Sequence, residues 1–103
     1  MIHAEISIYP IGTGSTSISF YVARALEAVQ DMKNLRYQLT PMGTLLESDD
    51  IDVILSASAK MLNAVHGLGA SRVGFSLKVD SRRDKQTSLE SKVSSVRAHQ
   101  ERF

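Results

Sequence analysis

Over the first nine residues Ile2, Ala4, Ile6 and Ile8 alternate with His3, Glu5, Ser7 and Tyr9. Period two predicts a strand with one apolar and one polar face. The Gly- and Ser-rich stretch Pro10–Ser17 ends it. Ile18, Val22, Ala25, Leu26, Val29 and Met32 then recur at helical spacing. A hydroxyl of Ser17 or Ser19 is placed to cap this helix, because it can accept from the orphan amides of the first turn. Lys33-Asn34 stops it. Leu35, Tyr37 and Leu39 alternate with Arg36, Gln38 and Thr40, a second strand. Pro41-Met42-Gly43 turns the chain, and Thr44–Glu47 reads as a third strand completing a hairpin.

Asp49 or Asp50 is placed to cap a long helix that carries Ile54, Ala57, Met61, Val65 and Leu68 on one face. Gly67 and Gly69 supply a left-handed stop. Val73, Phe75, Leu77 and Val79 alternate with Arg72, Gly74, Ser76 and Lys78, a fourth strand. After the charged turn Asp80–Lys85, Thr87-Ser88-Leu89-Glu90 has the spacing of a capping box. Leu89, Val93 and Val96 make a narrow apolar stripe on a third helix, and the tail Ala98–Phe103 is expected to fray.

The order βαββαβα predicts an α+β domain over residues 1–103: a ferredoxin-like sandwich with an antiparallel four-stranded sheet and an added C-terminal helix. Helices cover one face of such a sheet. The other face should carry His3, Glu5, Ser7, Tyr9, Gln38, Leu45, Ser76 and Lys78, and the third helix has too few apolar residues to cover it all. A homo-oligomer in which sheets or edge strands meet is therefore favoured over a monomer.

Composition narrows the function. With 103 residues, 43% of them hydrophobic and 22% charged, the chain suits one globular domain. A net charge of +1 offers no electrostatic case for nucleic acid or an anionic membrane. Single-stranded RNA needs stacking rings on the central strands; only Tyr9 is so placed, since Phe75 falls on the core side. No cysteine is present, which excludes disulfides and thiolate chemistry and fits a reducing compartment. No apolar run approaches the ~20 residues of a membrane span, so a cytoplasmic protein is expected.

The topology sets the end of strand one beside the strand-two–strand-three turn. The Gly12–Ser17 loop and the Thr40–Thr44 turn are thus expected to share one rim of the sandwich. The first of them opens a helix whose amides favour an anion or a polar ring edge. Glu47, further along strand three, is a candidate partner for a cationic or amino-bearing ligand. The plain alternative is that the hydroxyls cap helices, Gly and Pro make turns and Glu47 is a solvated strand end. Arg82 and Arg83 are a candidate phosphate or sulfate site at the opposite edge, although Asp80 and Asp84 dilute the attraction. His3, His66 and His99 share no ligand spacing, so no metal is expected. No serine has a nominated base and Glu5 with Glu47 lacks a substrate pocket, so no catalytic residues are assigned.

The segments Ile2-His3-Ala4-Glu5, Pro10-Ile11-Gly12-Thr13, Ser17-Ile18-Ser19, Tyr21-Val22, Tyr37–Thr44 and Glu47 together resemble the small thiamine-binding-protein family. Asp80–Lys85 and Lys92-Val93 resemble it too, so the likeness spans about Ile2 to Val96. The resemblance implies a ferredoxin-like homotetramer that binds thiamine or its hydroxymethylpyrimidine part without catalysis, for vitamin handling or transport, and without a cofactor. Matching positions make Gly12, Ser17, Thr40, Met42, Gly43, Thr44 and Glu47 the expected ligand residues. The competing reading is a homo-oligomeric structural or regulatory module with an incidental anion at Arg82 and Arg83.

Overall fold

The alternation of the first strand carries on through Pro10 and Ile11, past the point where turn-forming residues begin. The structure, a computed structural model, describes residues 1–100. Its elements are β1 (Ile2–Ile11), α1 (Ser19–Glu27), β2 (Arg36–Thr40), β3 (Gly43–Ser48), α2 (Ile51–Gly67), β4 (Arg72–Ser81) and α3 (Leu89–Gln100). The strands lie in the order β2-β3-β1-β4 with every neighbouring pair antiparallel, the ferredoxin-like arrangement.

Ile2, Ala4, Ile6 and Ile8 of β1 face α1 and α2 and, with Leu46, Ile54, Ala57, Met61 and Val65, form the core. α2 begins where Asp50 accepts a hydrogen bond from the Asp52 amide at 2.9 Å. It ends where Gly69, at φ +100°, turns its amide onto the His66 carbonyl. That left-handed conformation suits glycine because a Cβ would crowd the carbonyl. The α1 stripe closes differently: the last i→i−4 bond runs from the Ala28 amide to the Arg24 carbonyl, and buried Val29 reaches the core from the turn that follows.

Strand lengths decide where a ligand can sit. The β1–β4 ladder runs from Ile2↔Ser81 to Ile11↔Arg72, so Asp80 and Ser81 extend β4 where a charged turn was expected. The β1–β3 ladder ends at Ile6↔Thr44. Beyond it β1 continues from Ser7 to Ile11, roughly 17 Å at ~3.4 Å per residue, with a strand partner on one side only. A proline is tolerated there because one flank of the strand has no ladder to interrupt. The short β2–β3 hairpin thus leaves a step in the sheet.

α3 lies on the face opposite α1 and α2. Its first turn sits over His3 and Glu47, and none of its residues is buried. Val93 and Val96 remain more than half exposed, at 51% and 59%. Of the tail expected to fray, Ala98–Gln100 is helical and 101–103 lie outside the described residues.

Candidate functional site

The step left by the short hairpin is a cavity of about 490 Å³ between α1 and the β2–β3 turn. Ile8 of β1, Ile18 and Val22 at the start of α1, and Met61 of α2 form its apolar walls, while Thr40, Met42 and Thr44 bring the turn to its rim. Among the described residues no acidic or basic side chain lines it. A space of this size, largely apolar with a few polar groups, is typical of small-molecule sites.

Local chemistry explains why both loops hold their shape. Gly12 and Gly14 adopt φ +82° and +79°, and the Thr13 and Ser15 hydroxyls bond to amides and a carbonyl of the same loop. Ser17 does not cap α1: the N-cap is Ile18, without any side-chain cap bond, and the Ser17 hydroxyl lies 3.4 Å from that of Ser19. In the second turn Thr40 Oγ1 donates to the Gly43 carbonyl at 2.7 Å and accepts from the Gly43 amide at 3.1 Å. Ser7 Oγ donates to the Met42 carbonyl at 3.0 Å, tying the turn to β1. A Cβ at Gly43 would come within 2.9 Å of that hydroxyl, so the close approach of turn and strand requires glycine.

Of the residues expected to bind a ligand, Thr40, Met42, Gly43 and Thr44 line the cavity. Gly12 and Ser17 are exposed on the loop that leads into Ile18 and are not part of its lining. Glu47 is placed elsewhere, at the far end of β3 on the opposite face. There it lines a separate groove of about 470 Å³ with Arg36, Asp49 and Asp50.

The surroundings of Glu47 form a network that alternation alone does not reveal. Register aligns Arg36, Glu47, His3 and Asp80 in one row across four strands. Glu47 Oε2 lies 2.8 Å from His3 Nε2 and accepts the Leu89 amide at 3.0 Å, while Arg36 approaches Oε1 at 3.7 Å. His3 is 5% exposed and Glu47 11%, because the start of α3 covers them. Two ion pairs fasten that helix. Arg36 donates to both oxygens of Glu90, and this holds the Glu90 carboxyl down at about 2; Lys92 donates to Asp80 and lowers the Asp80 carboxyl. The expected Thr87–Glu90 capping box is replaced by a reciprocal pair one residue on, with Ser91 N–H to Ser88 Oγ at 3.0 Å and Ser88 N–H to Ser91 Oγ at 2.8 Å.

At the candidate anion site Arg82 is engaged by Asp84 through two bonds of 2.6 and 2.9 Å, which raise the guanidinium and lower the carboxyl. Arg83 is exposed beside this pair. No group of three or more metal-ligating side chains occurs among the described residues. No helix there is long and apolar enough to cross a membrane.

A family model described as thiamine-binding protein matches residues 4–97. The chain belongs to that family. A UPF0045 protein of Methanothermobacter thermautotrophicus is 46% identical over 97 residues, covering 94% of this chain and 97% of the relative. The UPF0045 protein YqgV of Bacillus subtilis is 42% identical over 103 residues, covering 93% and 94%. Among solved structures, a hypothetical protein of Methanocaldococcus jannaschii superposes with a TM-score of 0.83 at 38% identity, covering 92% of this chain and 94% of the other. The thiamine-binding-family match and the fold described above agree over nearly the whole chain.

Proposed function

We propose that this member of the thiamine-binding family binds the aminopyrimidine ring of thiamine, as the intact vitamin or as hydroxymethylpyrimidine, in the cavity beside the β2–β3 turn. The observation that carries this reading is the cavity itself: about 490 Å³, uncharged and largely apolar, with threonines and Met42 at one rim. An aminopyrimidine is flat, apolar on its faces and hydrogen-bonding along its edges, which is the complement of such a lining. Thr44, buried on the core face of β3, and the backbone of the Thr40–Gly43 turn supply the edge contacts, and Met42 packs on a ring face. Gly12 and Ser17 shape the approach to the cavity.

The lack of charge in the lining orients the vitamin. Burying a thiazolium cation without a carboxylate is costly, so the pyrimidine enters and the cationic ring stays at the mouth. Glu47 is already shared by His3, Leu89 and Arg36, and it serves α3 rather than the ligand. The protein acts by binding, without turnover or a cofactor, as a cytoplasmic homotetramer in vitamin handling.

Calorimetric titration with hydroxymethylpyrimidine and with thiamine tests the reading, using wild type and Thr44→Val. Both compounds should bind, and the variant should bind about tenfold more weakly, the worth of about one hydrogen bond. Absence of heat with either compound overturns it, as does an unchanged affinity in Thr44→Val.

A further inference from the structure

β4 is an edge strand of ten residues: it is long, contains no proline, and its helix-side positions Val73, Phe75, Leu77 and Val79 are all apolar, while its charges Arg72, Lys78 and Asp80 lie on the other face. Phe75 and Val79 are exposed at 41% and 40%. We propose that this edge pairs antiparallel with β4 of a second copy of the chain, on a two-fold axis through Ser76.

The register follows from charge. Paired residues must share a face, so only axes that pass through a residue are allowed. An axis through Ser76 sets Arg72 against Asp80 of the other copy twice, Val73 against Val79 and Phe75 against Leu77. An axis through Phe75 sets Arg72 against Lys78, and one through Lys78 sets two lysines face to face; like charges directly opposed are unfavourable. An axis through Leu77 leaves Asp80 facing Gly74. Within its own chain Asp80 holds Lys92 through Oδ2, so Oδ1 is available to the partner's Arg72. The two exposed apolar residues are covered in the same step, and two four-stranded sheets become one of eight strands.

This contact deepens the homotetramer reading by naming one of its joints. The chain has no cysteine, so a single introduced thiol can cross-link only to its own copy. Under mild oxidation Ser76→Cys should form a covalent dimer. Arg72→Cys and Asp80→Cys should each stay uncrosslinked alone and link when mixed. Light scattering should show Arg72→Glu dissociating at about tenfold higher concentration, with recovery in the Arg72→Glu, Asp80→Arg double variant. An oligomer in which Ser76→Cys does not link, or in which Leu77→Cys links as well, overturns the β4 contact and leaves the assembly standing. A wild type that remains monomeric in solution overturns both, and in neither case is pyrimidine binding touched.

Discussion

Replacing Glu47 separates two roles for that carboxylate, as a fastener of α3 and as a ligand group. In Glu47→Ala the His3 ring loses its 2.8 Å partner and the Leu89 amide loses its 3.0 Å acceptor. His3 Nδ1 is already buried without a partner, so the ring would then have none at either nitrogen. Leaving a buried polar group unsatisfied costs about 1–3 kcal/mol, and here both the His3 ring and the Leu89 amide lose a partner. Some water will reach Glu47, which is 11% exposed, so a loss of about 3 kcal/mol is expected. Glu47→Gln should cost only about 1 kcal/mol, because its amide oxygen, set where Oε2 lies, can still accept from both the Leu89 amide and His3 Nε2–H. Urea denaturation followed by circular dichroism reads the stability of both variants, and calorimetry reads pyrimidine affinity where both are folded. The expected pattern is a large loss of stability in Ala, a small one in Gln, and unchanged affinity in both. A stability change under about 1 kcal/mol in Glu47→Ala, or lost affinity in Glu47→Gln, would refute the structural role.

The fastening of α3 also carries a pH signature. Because Arg36 holds the Glu90 carboxyl at about 2 against its usual 4.5, the ionised pair stabilises the fold above the higher value and ceases to do so as pH falls through the lower. The urea midpoint of wild type relative to Glu90→Gln should therefore be constant above pH ~5 and converge towards pH ~2; a constant difference down to pH ~2 would exclude the pair as a contributor. At the end of α2, Gly69→Ala forces a side chain into φ +100° and should cost about 1 kcal/mol. A calorimetric melt would show this as a fall of about 4–8 °C, and an unchanged melting temperature would mean that the turn relaxes.

Signals confined to a few neighbouring residues were legible in the chain. Alternation over Ile2–Ile8 placed the core face of β1, Asp50 was readable as a cap, and Gly69 as a left-handed stop. The order of elements then led to the observed sheet. Features that depend on distant partners were not legible. Glu90 has the right offset from Thr87 for a capping box, yet it is drawn to Arg36, 54 residues away, and Ser91 takes its place beside Ser88. His3 and Glu47 could be assigned to one face by alternation, but their contact depends on the β1–β3 register across 44 residues. For the same reason the expected ligand set divides: Thr40, Met42, Gly43 and Thr44 travel together in one turn and meet the cavity, whereas Glu47 is carried along β3 to the other end. The cavity itself arises from the difference in length between β1 and β3, which no short motif encodes.

The chain's four methionines allow the site to be located in one titration. Met42 and Met61 line the cavity beside the β2–β3 turn, Met1 lines the groove that contains Glu47, and Met32 lines neither. With methyl-labelled methionine, addition of hydroxymethylpyrimidine should shift the Met42 and Met61 resonances and leave Met1 and Met32 in place. Shifts at Met1 alone, or none at any methyl under saturating ligand, would contradict binding in that cavity.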